Sequence, residues 1–82
     1  MTSNVTRLGK LPEVLKNTGD SRSSHYDKIH KGLMIKPVQI GERAVAYPMA
    51  EIEAINRARI AGKSDDEIKT LVAELIKQRK AA

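Results

Sequence analysis

Residues 18–32 read TGDSRSSHYDKIHKG. Thr18-Gly19 is a turn signal that closes the apolar segment before it. Ser21 has the chemistry of an N-cap: its hydroxyl can accept from the backbone N–H of Ser23 or Ser24, two donors that a helix start leaves unpaired. Helix is then expected as far as Gly32, which suits the position just past a helix end because glycine tolerates a positive φ. The segment upstream supplies a partner. Leu11, Val14, Leu15 and Thr18 follow the i, i+3, i+4, i+7 spacing, so a short amphipathic helix is expected over residues 12–17. Pro12 suits its first position, where the missing N–H costs nothing. Two short helices joined by a tight glycine turn form a helix-turn-helix, whose second helix enters the DNA major groove. That helix opens on Arg22, Ser23 and Ser24. Arginine can bond both acceptors of guanine, serine reaches bases or phosphates, and a helix N-terminus favours a phosphate. A capped polar surface helix would use the same residues, and these residues alone do not separate the two readings.

The chain that follows, LMIKPVQIGERAVAYP at 33–48, changes period. Lys36-Pro37 is extended or turn-like, because the residue before proline avoids the helical region. Val38-Gln39-Ile40 and Val45-Ala46-Tyr47 alternate, and Gly41-Glu42 or Glu42-Arg43 supplies a turn, so residues 38–47 are expected to form a β-hairpin. Val38, Ile40, Val45 and Tyr47 would then face the core, while Lys36 and Arg43 project. Leu8 would cover an edge of the core. A hairpin after a helix-turn-helix is the wing of a winged-helix fold. Arg43, near its tip, can enter a minor groove or meet a phosphate. Pro48 is expected just inside a third helix that ends near Ala61, with Gly62 beyond it. Ser64 and Glu67 then make the S-x-x-E capping box of a fourth helix. Its stripe of Ile68, Leu71, Val72, Leu75 and Ile76 is the clearest amphipathic pattern in the chain. That stripe can pack on the same domain or mediate self-association with a second copy.

With 82 residues, this is one small domain or one domain with an appended helix. The expected fold is mainly α with a small β-hairpin wing: a flexible arm over 1–6, a winged helix-turn-helix over 7–62, and a C-terminal amphipathic helix over 63–82. The chain has no Phe, Trp or Cys, and Tyr26 and Tyr47 are its aromatic residues. The core must be aliphatic, and disulfides and thiolate metal sites are excluded. No apolar run approaches a membrane span, and the opening MTSNVT lacks the apolar region of a signal peptide, so a cytoplasmic location is expected. The formal net charge is +5. Residues 1–47 hold +4 of it and residues 48–82 only +1, so the excess lies with the suspected recognition helix. A polyanion such as double-stranded DNA is the natural partner, with Lys10, Lys16, Lys28, Lys36 and Arg43 as phosphate contacts.

Enzymatic chemistry finds no support. His25 and His30 are five apart and do not share a helix face as metal ligands at i, i+4 do. The serines beside His25 point away from it on a helix, and no glycine-rich phosphate loop is present. Neither a metal nor a cofactor is expected.

With these pieces in order, the chain resembles the AlpA-like phage and prophage regulators, small winged helix-turn-helix proteins related to MerR-type domains and phage excisionases. The resemblance covers about residues 7–61. It rests on LPEV at 11–14, TG-x-SRSS-x-Y at 18–26, I-x-x-G at 29–32, KPVQIG at 36–41, RAVAY at 43–47 and ARIA at 58–61. It implies a DNA-binding protein of a mobile element, in a bacterial cytoplasm and associated with the nucleoid. Arg22, Ser23, Ser24 and Tyr26 match the family's recognition helix, and Arg43 matches its wing. The chain departs from the pattern at Asp20, His25 and Lys28, where an apolar residue is usual. It also departs near Met34-Ile35, where Phe-Pro is usual, and at Tyr47, where Trp is usual. His25 and Lys28 could be turned toward DNA, or His25 could be buried with a hydrogen-bond partner. The resemblance implies a transcriptional regulator, often of the integrase gene and working with RNA polymerase. The alternative is an excisionase that bends DNA and cooperates with an integrase. A third reading is a protein-binding module that titrates another regulator through the Ile68–Ile76 stripe.

Overall fold

The structure, a computed structural model, describes residues 7–81. The arm expected over residues 1–6 lies outside the described residues. The first helix, α1 (Leu11–Thr18), carries Pro12 in its first turn and ends on Gly19, whose left-handed φ of 79° lets its N–H donate to the Leu15 carbonyl at 2.9 Å. The second, α2 (Arg22–His30), begins as expected at Ser21, whose hydroxyl accepts from the Ser24 N–H at 3.2 Å. At its other end Gly32 turns left-handed. The Leu33 N–H then reaches the Lys28 carbonyl and the Gly32 N–H reaches the Ile29 carbonyl, the paired bonds of a Schellman end.

After that end the chain runs inward. Leu33, Met34 and Ile35 are all buried and link α2 to the sheet through the core. Three consecutive apolar residues have no period, so the sequence pattern does not assign them to the core. The expected hairpin is present as β2 (Val38–Gln39) and β3 (Val45–Pro48). A further strand, β1 (Leu8–Gly9), was not expected, because two residues are too few to show alternation. The sheet order is β1-β3-β2, antiparallel throughout, with Gly9 opposite Tyr47 and Val38 opposite Ala46.

The hairpin's expected inward set needs correction. Tyr47 is buried, and so is its neighbour Ala46, but Ile40 and Val45 are each 47% exposed. Both flank the 41–43 loop, where the ribbon has run past the edge of the core. Leu8 is likewise half-exposed on its edge strand. Pro48 is also displaced from its expected place. It closes β3 opposite Leu8 and serves as the N-cap of the third helix, α3 (Met49–Ile60), because the Met49 N–H is still donating to the Arg7 carbonyl at 2.8 Å.

Gly62 closes α3 with the same pair of bonds that ends α2. The last helix, α4 (Asp65–Ala81), starts on a reciprocal capping box: the Ser64 N–H donates to Glu67 Oε1 at 2.9 Å and the Glu67 N–H to Ser64 Oγ at 3.2 Å. Two hydrogen bonds from Ser64 hold the Glu67 carboxyl below the usual carboxylate range. Ile68 and Val72 of the α4 stripe are buried with Ile52 and Ile55 of α3, Val14 of α1 and Tyr47 of β3, and Leu71, Leu75 and Ile76 pack partly against the same cluster. The stripe of Ile68, Leu71, Val72, Leu75 and Ile76 thus packs at least in part on its own domain, the internal alternative to self-association. Its most apolar positions are already covered by the chain's own core. Near the far end of α4, Arg79 donates from Nε to both carboxylate oxygens of Glu51, at 3.0 and 3.2 Å, and from Nη2 to the Lys36 carbonyl at 2.8 Å.

Ile68→Ala should lower unfolding stability by about 2–5 kcal/mol, the usual cost of truncating a fully buried aliphatic side chain. Urea denaturation with sedimentation alongside checks it: stability falls while the mass stays constant. A change of mass with stability intact would return the stripe to an intersubunit role.

Candidate nucleic-acid interface

Helical spacing divides the residues of α2 into faces. His25 and Ile29 turn inward, and Ser23, Asp27 and His30 turn out. Arg22 and Tyr26 share one flank at i, i+4, and Ser24 and Lys28 share the other. Arg22, Ser23 and Ser24 are all exposed in the first turn, and Tyr26 is 50% exposed. Among the described residues Arg22 enters no ion pair, so its guanidinium is unspent. The backbone of this turn is fixed by the Ser21 cap, which leaves the side chains as the variable part.

Lys28 is placed differently. Its Nζ bonds both carboxylate oxygens of Asp20, at 2.8 and 3.1 Å, and both side chains are substantially buried. The charge that sequence reasoning offered to a phosphate is instead engaged with the turn between α1 and α2. Asp27 brings a carboxylate to the exposed face, where Lys31 pairs with it at 3.0 Å one turn on.

His25 is fully buried, which decides the alternative left open above. Its Nε2 lies 3.0 Å from Tyr47 Oη, and its ring meets the rings of Tyr47 and Tyr26 edge-on at centroid distances of 5.1 and 5.4 Å. Nδ1 is buried without a hydrogen-bond partner. Burial pushes the imidazole pKa below its ordinary value; the Asp20 carboxylate opposes this and Lys28 adds to it. Burial also raises the Tyr47 phenol. No feature of the sequence pairs His25 with Tyr47 across 22 residues, so this contact could not be read in advance.

The ribbon presents Lys36 at its base and Arg43 in the 41–43 loop, both exposed. The Gln39 side-chain amide donates to the Glu42 carbonyl at 3.2 Å, and the Ile40 N–H to the Ala44 carbonyl at 2.9 Å, so the loop carrying Arg43 is tied on both sides. Lys10 and Lys16, at the two ends of α1, are exposed as well. Among the described residues none of these four cations forms an ion pair. By contrast Arg7, Arg57 and Arg59 are matched with Glu13, Glu53 and Asp65. Among the described residues, unpaired, exposed cations thus sit on α1, α2 and the ribbon, and Lys63, Lys69, Lys77 and Lys80 add further ones on the α3–α4 turn and α4. Among the described residues no three His, Cys, Asp or Glu side chains gather as metal ligands, and no helix is long and apolar enough to cross a membrane.

Residues 7–60 match the family described as prophage CP4-57 regulatory protein (AlpA). The chain is also similar to the uncharacterized protein ORF88 of Enterobacteria phage P4, 39% identical over 57 residues, or 70% of this chain and 65% of that protein. The chain therefore spans somewhat less than two thirds of that relative's length. No solved structure matches it.

The buried imidazole makes stability depend on pH. Its pKa is lower folded than unfolded, so the unfolded chain takes up the proton first as pH falls, and the contribution to stability is lost on the acid side of the ordinary histidine value of about 6.5. Thermal unfolding should move to lower temperature from about pH 7.5 to 5.5. His30→Gln should leave that trend intact, and His25→Leu should flatten it. A transition temperature that does not respond to pH in this window would place the histidine in water.

Proposed function

The chain belongs to the AlpA family of prophage regulatory proteins, and on that premise we propose that it is a sequence-specific DNA-binding transcriptional regulator whose residues 7–62 act as a winged helix-turn-helix. In this reading α1 and α2 are the helix-turn-helix pair, α2 enters the major groove, and the β2–β3 ribbon is the wing. The observation that carries it is the first turn of α2, where a Ser21-capped helix start presents the unpaired, exposed Arg22 beside Ser23 and Ser24. Arg22 reads guanine, Ser23 and Ser24 reach bases or phosphates, and Tyr26 lies along the groove wall on the flank of Arg22. Arg43 meets the backbone or the minor groove from the wing, and Lys10, Lys16 and Lys36 hold phosphates. Lys28 serves as a positioning residue, fixing the turn between the two helices through Asp20.

The regulated gene is an integrase gene or another operon of the mobile element. The macromolecular partners are duplex DNA and the RNA polymerase or integrase whose access the bound protein governs. The working location is the bacterial nucleoid.

Two titrations test this. Four phosphate contacts, from Lys10, Lys16, Lys36 and Arg43, give a slope of log affinity against log salt of about −3.5 on duplex DNA. A flat response excludes DNA binding. Arg22→Ala should cost about 1–3 kcal/mol on the preferred duplex and little on a scrambled one, whereas Arg43→Ala should weaken both and reduce the salt slope by about one. Equal losses on both duplexes for Arg22→Ala would make it a phosphate anchor.

A further inference from the structure

The one fully buried side chain of α2 is a histidine. Ile29 adds a partly buried contact, Lys28 is occupied with Asp20, and the other residues of the helix are exposed. The depth at which α2 sits therefore depends on His25, and His25 is fixed by one hydrogen bond to Tyr47 of β3, the central strand of the sheet. Its other nitrogen, Nδ1, is buried without a partner. In the neutral ring only one nitrogen carries a proton, and in either tautomer the bond to Tyr47 Oη is the ring's one hydrogen bond.

We infer that the His25–Tyr47 bond sets the angle between the recognition helix and the wing, and that a proton taken up by the buried imidazole releases it, so that mild acid weakens the reading of a preferred DNA sequence while the hold on random DNA is kept. This rests on the DNA-binding reading above.

Protonation adds a charge and makes both ring nitrogens donors, while no acceptor faces Nδ1, so the imidazolium is stable only if the ring leaves its site. The ionisable groups around it are few. Asp20, in the turn before α2, favours the proton but is already engaged by Lys28, which opposes it; Tyr26 on α2 meets the ring edge-on, and burial raises the Tyr47 phenol on β3. The buried side chains that α1, α3 and α4 bring to the core are aliphatic or methionine. Nothing else in the surroundings offers compensation, and the lowered histidine pKa agrees. The ends of α2 stay fixed by the Ser21 cap, the Gly32 turn and the Asp20–Lys28 pair, so the helix persists while its tilt is freed. Base contacts demand placement within a fraction of an ångström and are lost. The phosphate contacts come from α1 and the ribbon and survive. The added positive charge, if anything, strengthens attraction to any DNA. A loss of sequence preference without loss of random-DNA affinity is therefore opposite in sign to ordinary acid-enhanced DNA binding.

The test uses the full chain in a His30→Gln background, which silences the exposed histidine on the same helix. Duplexes enriched from a random pool at about pH 8 supply the preferred probe, and scrambled versions supply the control. Circular dichroism at each pH keeps the measurement below the unfolding transition, and the His25 ring proton is followed by NMR. The ratio of preferred to scrambled affinity should decline as pH falls below about 6.5, following the protonation curve of His25, and the fall by about pH 5.5 should be less than about tenfold because burial lowers the folded pKa. Tyr47→Phe keeps the ring and removes the hydroxyl. It should show the reduced ratio already at the alkaline end, with scrambled-DNA affinity unchanged. A ratio that stays constant over the range, or that moves without following the His25 curve, overturns the inference while DNA recognition itself stands. A pool that yields no preferred duplex overturns the inference together with the reading it rests on.

Discussion

The hydrogen bond between Tyr47 and His25 is what seats a polar helix on an aliphatic core. The chain has no Phe or Trp, and Tyr47 is the largest of its fully buried side chains. Around it the core is Val, Leu, Ile and Met. A nine-residue helix with a single buried position gains little from apolar burial, so most of what holds α2 must come from its ends and from this one polar contact. Burying a phenol and an imidazole without each other would leave both unpaired in the core, and together they leave only Nδ1. The bond joins the central strand of the sheet to the helix whose first turn carries the candidate contacts. The geometry of the ribbon relative to α2 therefore follows from it.

The four polar departures from the family's pattern turn out to be two pairs. The resemblance sets apolar residues at Asp20, His25 and Lys28 and a tryptophan at Tyr47. Here Asp20 bonds Lys28, and His25 bonds Tyr47. Each member satisfies the group that the other introduces. Replacing one alone would leave a buried or half-buried polar group without its partner, which costs more than exchanging both together. The α1–α2 arrangement is thus held here by polar complementarity. Lys28, which looks like a free cation in the sequence, is consumed in the process.

What could be read from the sequence is what depends on neighbours a few residues apart. The Ser21 cap, the glycines that end α1, α2 and α3, the Ser64–Glu67 box and the stripe of α4 are all local patterns, and each stands where the pattern placed it. What depends on distant segments was not legible. β1 exists because β3 has a free edge, not because Leu8-Gly9 has a strand pattern. Ile40 and Val45 look like core residues by alternation, yet lie beyond the edge of what the helices cover. Arg22, Ser23, Ser24, Tyr26, Lys36 and Arg43 are exposed, whereas the engagement of Lys28 needed the fold of the α1–α2 turn.

Arg79 closes two long loops with one guanidinium, reaching 28 residues back to Glu51 and 43 residues back to the Lys36 carbonyl. Neither closure can be made until α3, α4 and the strand entry at Lys36 are already in place, because each must bring its group within hydrogen-bonding distance of a single side chain. The contact is therefore a late event in folding and an early one to break. Interactions formed after the transition state act on the rate of unfolding and leave the rate of folding almost untouched. The last turns of α4 serve in this sense as a kinetic latch on the native state at the base of the ribbon.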